Sequence, residues 1–181
     1  MPDPGLVTGE VAFASEISHG CACHGGQPRQ HCAIAAGWRR PGGGVVAELV
    51  WYGDPAGAVD RIGELYTGHD PVAVVVDGMS QAATLIRPLA DIGVLVMLPK
   101  PRDVAVAHGE FMDLVTRGGL EHLGQEPLTS AVRAAQHRPL AGAQAWERKV
   151  AVDQSPLVAA TLAVWAFLGW EVLSQPGTWD L

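Results

Sequence analysis

The hydrophobic and polar positions of this 181-residue chain fall into two regimes. In residues 10–17 (EVAFASEI), Val11, Phe13, Ser15 and Ile17 alternate with Glu10, Ala12, Ala14 and Glu16, the period of a half-buried strand. Residues 32–38 (CAIAAGW) and 45–52 (VVAELVWY) predict two more strands, joined through the turn Arg40-Pro41-Gly42-Gly43-Gly44. The short, turn-rich connections make these three an antiparallel meander. After Gly53-Asp54-Pro55 the period changes. Residues 56–66 set Val59, Ile62, Leu65 and Tyr66 at helical spacing. Residues 72–76 (VAVVV) are an unbroken apolar run, as expected of a strand buried on both faces of a parallel sheet.

That run ends at Asp77-Gly78, and Ser80 suits the N-cap of a helix over 81–91. Residues 93–98 (GVLVML) predict the next strand, 103–117 a helix stopped by Gly118-Gly119, 120–123 a short edge strand, 127–137 another helix, and 142–149 a connector. Residues 155–170 predict the last helix, with Ser155 as N-cap and Pro156 at the first helical position, where its missing N–H costs nothing. It is apolar on every side and therefore buried. Its most apolar run, 157–168, falls short of the ~18–20 residues needed to span a bilayer. Three antiparallel strands, a helix, a parallel strand, a helix, a strand and a helical remainder make an α/β chain with a mixed sheet flanked by helices. That order is ribonuclease-H-like. One domain is expected over 9–173, with a lead-in over 1–8 and a tail over 174–181.

Composition narrows the function classes. With 12 Lys+Arg against 19 Asp+Glu, the formal net charge of −7 excludes a uniformly basic nucleic-acid binder but permits a local basic patch. Hydrophobic content of 48% and charged content of 17% exclude a disordered acidic tail. The lysines are Lys100 and Lys149, and no G-x-x-x-x-G-K-[ST] occurs, which excludes a P-loop ATPase. The opening MPDPGLVTGE has no secretory pattern, and an odd count of three cysteines argues against a disulfide framework. A cytoplasmic protein is expected, with no membrane partner.

Three carboxylates sit where elements should end inside the molecule: Glu16 near the end of the first strand, Asp77 at the end of VAVVV, and Asp153 just before the last helix. Sites in α/β sheets form at the carboxyl ends of strands, so Glu16 and Asp77 are placed to converge. Clustered carboxylates repel one another and need a counter-charge. Hard oxygen ligands suit Mg²⁺ or Mn²⁺, and two such ions about 3.5–4 Å apart can clamp the attacking and leaving oxygens of a phosphodiester. Each residue also has a plainer reading: Asp77-Gly78 as a strand-ending turn, Asp153 as a helix-capping acid, Glu16 as an edge charge.

The last third adds a resemblance. Arg138-Pro139-Leu140-Ala141-Gly142, Ala145-Trp146-Glu147-Arg148-Lys149 and the run DQSPLVAAT from Asp153 to Thr161 together resemble the C-terminal nuclease domain of large terminase subunits from tailed phages. Val74-Val75-Val76-Asp77 looks like the family's second acidic strand end, and VAFASEIS like its first strand. The resemblance covers roughly residues 9–172. It implies a ribonuclease-H-like fold, two Mg²⁺ or Mn²⁺ ions on Glu16, Asp77 and Asp153, and cleavage of double-stranded DNA during genome packaging. It also implies the terminase ATPase domain, the small terminase subunit and the portal as partners, at the packaging motor in the bacterial host cytoplasm. Two departures stand out. Glu16 occupies the place of the family's usual Asp, and its extra methylene moves the carboxylate. The packaging ATPase that precedes this domain in the family is missing from the sequence, which reads as an excised domain or a stand-alone nuclease-like protein. A resolvase-type nuclease of the same fold and a catalytically weakened assembly module are the competing readings.

Two further groups carry chemistry. The stretch from His19 to Cys32 holds three cysteines and three histidines, and Cys21, Cys23 or His24, His31 and Cys32 have the donor types zinc needs. Their spacing matches no standard finger, and a hairpin loop with free thiols is the simpler reading. Arg133, His137 and Arg138 fall at helical spacing, and Arg148 and Lys149 lie shortly before Asp153, so these cations are the candidates for phosphate contacts.

Overall fold

The computed structural model describes residues 10–18 and 30–174. The meander is present as β1 (Val11–Ile17), β2 (Cys32–Arg39) and β3 (Val45–Gly53), with β2 antiparallel to both neighbours. A 3₁₀ turn at Pro55–Gly57 leads into α1 (Ala58–His69). Then β4 (Ala73–Val76) joins β1 in parallel, and β5 (Leu120–His122) joins the far side of β3 in parallel. The resulting five-stranded sheet runs β4-β1-β2-β3-β5. Between its two late strands lie α2 (Ile86–Asp91), entered through a 3₁₀ turn at Gln81–Leu85, and α3 (Pro101–Thr116). After β5 come α4 (Glu126–Arg133), a hairpin of β6 (His137–Leu140) and β7 (Ala143–Trp146), and α5 (Ser155–Ser174).

Both faces of the sheet are covered. Val11, Phe13 and Ile17 of β1 pack with Ile62, Leu65 and Leu89 on one face, while Ala12 and Ala14 pack with Leu157, Ala160 and Ala163 on the other. The half-buried β1 expected from its alternation is thus corrected: all seven of its residues are buried, because α5 lies over the small-residue face. Alanine on that face is what lets a helix approach closely. At Gly37 even a Cβ would be too much, since it would stand 2.6 Å from the backbone carbon and oxygen of Ala163. By length and composition the 20-residue α5 would suffice to cross a bilayer, yet it is laid against the sheet with its residues from Ser155 to Val164 all buried.

Three local expectations change. The strand over 93–98 reduces to one bridge, in which Met97 N donates to the Val74 carbonyl and Val76 N to the Met97 carbonyl. The next donor on that ladder would be residue 99, which is proline and has no N–H. The helix expected over 127–137 ends at Arg133, and residues 137–146 form the hairpin. Its two-residue turn has positive φ at both Ala141 (49°) and Gly142 (83°), the type I′ requirement, and alanine is a poor advertisement for it. Finally, α5 runs on through Ser174, past the expected end at 170.

The close approach of α5 predicts opposite effects for two alanines. Gly37→Ala should lower unfolding stability by about 2 kcal/mol through overpacking. Gly109→Ala, exposed inside α3 with nothing within 4 Å of the new Cβ, should raise it by about 0.5–1 kcal/mol. Urea unfolding of both variants checks this, and midpoints moving the same way would contradict the packing described.

Candidate active site

Register builds the site. Ser15 of β1 pairs with Val76 of β4, so the next residues along these parallel strands, Glu16 and Asp77, emerge side by side at their carboxyl ends. Across β1, Glu16 pairs with Ala33, and Ala33 pairs with Tyr52 of β3. The four residues form one row facing α5. A bulge decides who completes it: β2 pairs Ala35 with Leu49 but Ile34 with Trp51, skipping Val50. Were the same residues paired without the bulge, Trp51 would stand beside Ala33 and Tyr52 would point to the opposite face.

Glu16 and Asp77 are buried, 1% and 2% exposed, and both face Arg148. The Arg148 Nη2 donates to Asp77 Oδ2 at 2.5 Å and stands 3.6 Å from Glu16 Oε2. Asp77 Oδ1 accepts from Met79 N at 2.8 Å. Glu16 Oε1 accepts from its own strand neighbour, Ile17 N, at 3.2 Å. Among the described residues, Glu16 Oε2 is buried with no hydrogen-bond partner. Burial pushes the Glu16 carboxyl up to about 7; Arg148 opposes that rise and Asp77 adds to it.

Asp153 borders the same small cavity as Glu16 and Arg148, together with Ser18 and Ser155. It is oriented twice over. Tyr52 Oη donates to its Oδ2 at 2.9 Å, and Ser155 N donates to its Oδ1 at 2.8 Å. Asp153 therefore performs the capping at the start of α5 that sequence assigned to Ser155. Gln154 ties this corner to α4 through the Ala131 carbonyl at 3.3 Å. Tyr52 was not singled out in the sequence; its only signal is its place at the end of an apolar strand, and its face depends on the bulge. The structure thus brings Glu16 and Asp77 together on Arg148 and sets Asp153 at the rim. Among the described residues no group of three or more His, Cys, Asp and Glu is gathered closely enough to hold a metal ion.

The cations are dispersed. Arg148, counted in the sequence among the phosphate contacts, lies inside the carboxylate pair with its side chain 12% exposed. Lys149 and Arg133 are exposed, and Arg138 donates from Nε to the Trp146 carbonyl at 3.2 Å. His137 is not on a helix with Arg133: it stands on β6, in hydrogen-bond contact with His108 of α3 at 2.9 Å, and stacks on Trp146. Of the zinc candidates, Cys21, Cys23 and His24 lie outside the described residues. Cys32 is a free, buried thiol in the core beside Phe13 and Ile34, where burial pushes it up to about 12. His31 stacks on Tyr52, with ring centroids 4.8 Å apart.

Compared with solved structures, the chain aligns with the large terminase nuclease from thermophilic phage G20c at a TM-score of 0.56 and 12% identity, covering 84% of this chain and 81% of that one. A mutant nuclease domain of the large terminase subunit gp2 of bacterial virus Sf6, with manganese and beta-thujaplicinol, gives 0.53 and 16% over 87% and 88%. The fold is that of a large terminase nuclease domain. The G20c nuclease with bound magnesium aligns similarly, at 0.53 and 12% over 83% and 80%. No family model and no curated protein matches the sequence. The mixed sheet flanked by helices read from the element order is the arrangement present, and it is this fold that the chain shares with the terminase nuclease structures.

The raised Glu16 carboxyl predicts a pH-dependent stability. Its folded value lies above its ordinary 4.5, so the stability it contributes is present in full below about pH 4.5 and is lost as pH rises through about 7. The loss amounts to about 3 kcal/mol. Glu16→Gln cannot ionise, so its stability relative to the parent should grow between pH 5 and pH 8.5. Thermal unfolding across that range checks it; a difference independent of pH would contradict the burial argument.

Proposed function

We propose that this chain is a metal-dependent endonuclease domain that hydrolyses double-stranded DNA during phage genome packaging. The observation that carries the reading is the pairing of Glu16 and Asp77 at adjacent strand ends, buried and converging on one positive charge. The terminase nuclease fold around that pair supports the assignment, as do the manganese and magnesium in the similar structures.

The residues fit a divalent cation in chemistry. Among the described residues Glu16 Oε2 is a buried oxygen with no hydrogen-bond donor within bonding geometry, and two adjacent carboxylates demand a counter-charge that hard divalent ions satisfy. Glu16 and Asp77 would hold the cation, with Asp153 as the third ligand from the rim. Bound there, Mg²⁺ or Mn²⁺ would activate water and neutralise charge on a phosphodiester. The protein's own contribution is positioning. Tyr52 and Ser155 N fix both oxygens of Asp153, and the sheet row fixes the spacing of Glu16 and Asp77. Lys149, Arg138 and Arg133 are the cations for the DNA backbone, with salt-sensitive affinity. In the packaging assembly the ATPase domain, the small terminase subunit and the portal would deliver the substrate to this acidic domain.

Supercoiled plasmid incubated with Mn²⁺ or Mg²⁺ should be nicked, and Asp77→Asn or Asp153→Asn should each lower the rate at least about 100-fold. Cleavage unchanged in both variants would refute the site. Preference for four-way junctions over linear duplex would favour a resolvase-type nuclease instead. An intact fold that binds no Mn²⁺ would favour an assembly module.

A further inference from the structure

Arg148 sits where two small cavities meet. One is lined by Glu16, Asp153 and Ser155, the other by His108, Arg138, Trp146 and Thr161. Its backbone belongs to the irregular stretch between β7 and α5. That stretch is pinned upstream, where Trp146 Nε1 donates to Thr161 Oγ1 at 2.9 Å and Glu147 N to the Gln136 carbonyl at 2.7 Å. It is pinned again downstream, where Ser155 N meets Asp153. Between these anchors Arg148 belongs to no strand or helix, and it borders both cavities.

The conflict is over shared oxygens. A guanidinium supplies one positive charge to two carboxylates, and its geometry is unequal: 2.5 Å to Asp77, 3.6 Å to Glu16. A divalent cation supplies two, and it needs the same oxygens. Arg148 Nη2 occupies the coordination side of Asp77 Oδ2 by its 2.5 Å hydrogen bond, so a cation that binds through that oxygen and Glu16 Oε2 competes with the guanidinium for it.

Resting on the metal-dependent reading above, we infer that Arg148 is an internal counter-ion that holds the Glu16–Asp77 pair while the site is metal-free and is displaced from it when a divalent cation binds. The competition costs metal affinity and, in return, keeps two buried like charges folded without a metal. Arg148 acts through the carboxylates and is a positioning residue.

Calorimetric titration with MnCl₂ alone tests this on the parent chain, Arg148→Gln, Arg148→Lys and Asp77→Asn, each first shown to be folded by circular dichroism. Removing the competing charge should tighten Mn²⁺ binding about tenfold or more, by the strength of a close opposite charge on a carboxylate. Arg148→Lys, which keeps the charge, should stay near the parent, and Asp77→Asn should lose binding. Equal or weaker binding by Arg148→Gln, with parent binding still dependent on Asp77, overturns the inference and leaves the nuclease reading standing. No Mn²⁺ binding by the parent or by Arg148→Gln overturns both. Tightening by Arg148→Lys to the level of Arg148→Gln also overturns the inference, since charge would then not be the cause. An independent readout is the Arg148 Nε–H resonance, identified by its loss in Arg148→Gln. It should be protected from solvent exchange in the free protein and lose that protection on addition of MgCl₂; persistence of protection at saturating Mg²⁺ overturns the displacement.

Discussion

Everything at the site follows from how closely α5 lies on the sheet. The face of β1 and β2 beneath it is built from Ala12, Ala14, Ala33, Ala35 and Gly37, and the helix answers with Ala159, Ala160 and Ala163. Small residues on both partners bring the helix backbone down onto the strands, and the burial of Leu157, Leu162 and Val164 around that contact stabilises the approach. Because α5 is fixed in height and position, its first turn is fixed as well. Asp153 is thereby set over the carboxyl ends of the central strands, within reach of Tyr52 on β3.

The second constraint is electrostatic. A sheet covered on both faces buries Glu16 and Asp77, and two such charges side by side are costly without a partner. The fold meets that cost with one arginine from the segment between the hairpin and α5. The cost is met only in part: burial still pushes the Glu16 carboxyl up to about 7. Part of the overall charge of −7 is thus concentrated at one buried pair and is not spread over the surface.

Much of the layout was legible in the sequence. The meander, the parallel run VAVVV, the edge strand near 120 and the apolar last helix all appear within a few residues of their expected places. Glu16, Asp77 and Asp153 could be picked out because each stands at an element end next to a strongly apolar run. What failed did so for local reasons that pattern does not carry. The ladder beside β4 stops at Pro99, a turn hides in Ala141-Gly142, and an alternating strand is buried on both sides because its polar-looking face is merely small. Tyr52 escaped notice because its face is set by the bulge at Val50.

The sequence by itself determined which residues are apolar, which are small and which carry charge, and with them the order and kind of the elements. Periodicity is a local property, so it survives in one dimension. The tertiary structure alone decided that Glu16 and Asp77 are neighbours, that Tyr52 holds Asp153, and that Arg148 faces inward onto the carboxylates and not outward to solvent. Those outcomes depend on strand register and on the height of α5 above the sheet. The contacts that join these groups link residues far apart in the chain, Ser15 with Val76, Tyr52 with Asp153 and Glu16 with Arg148, and no local pattern records them.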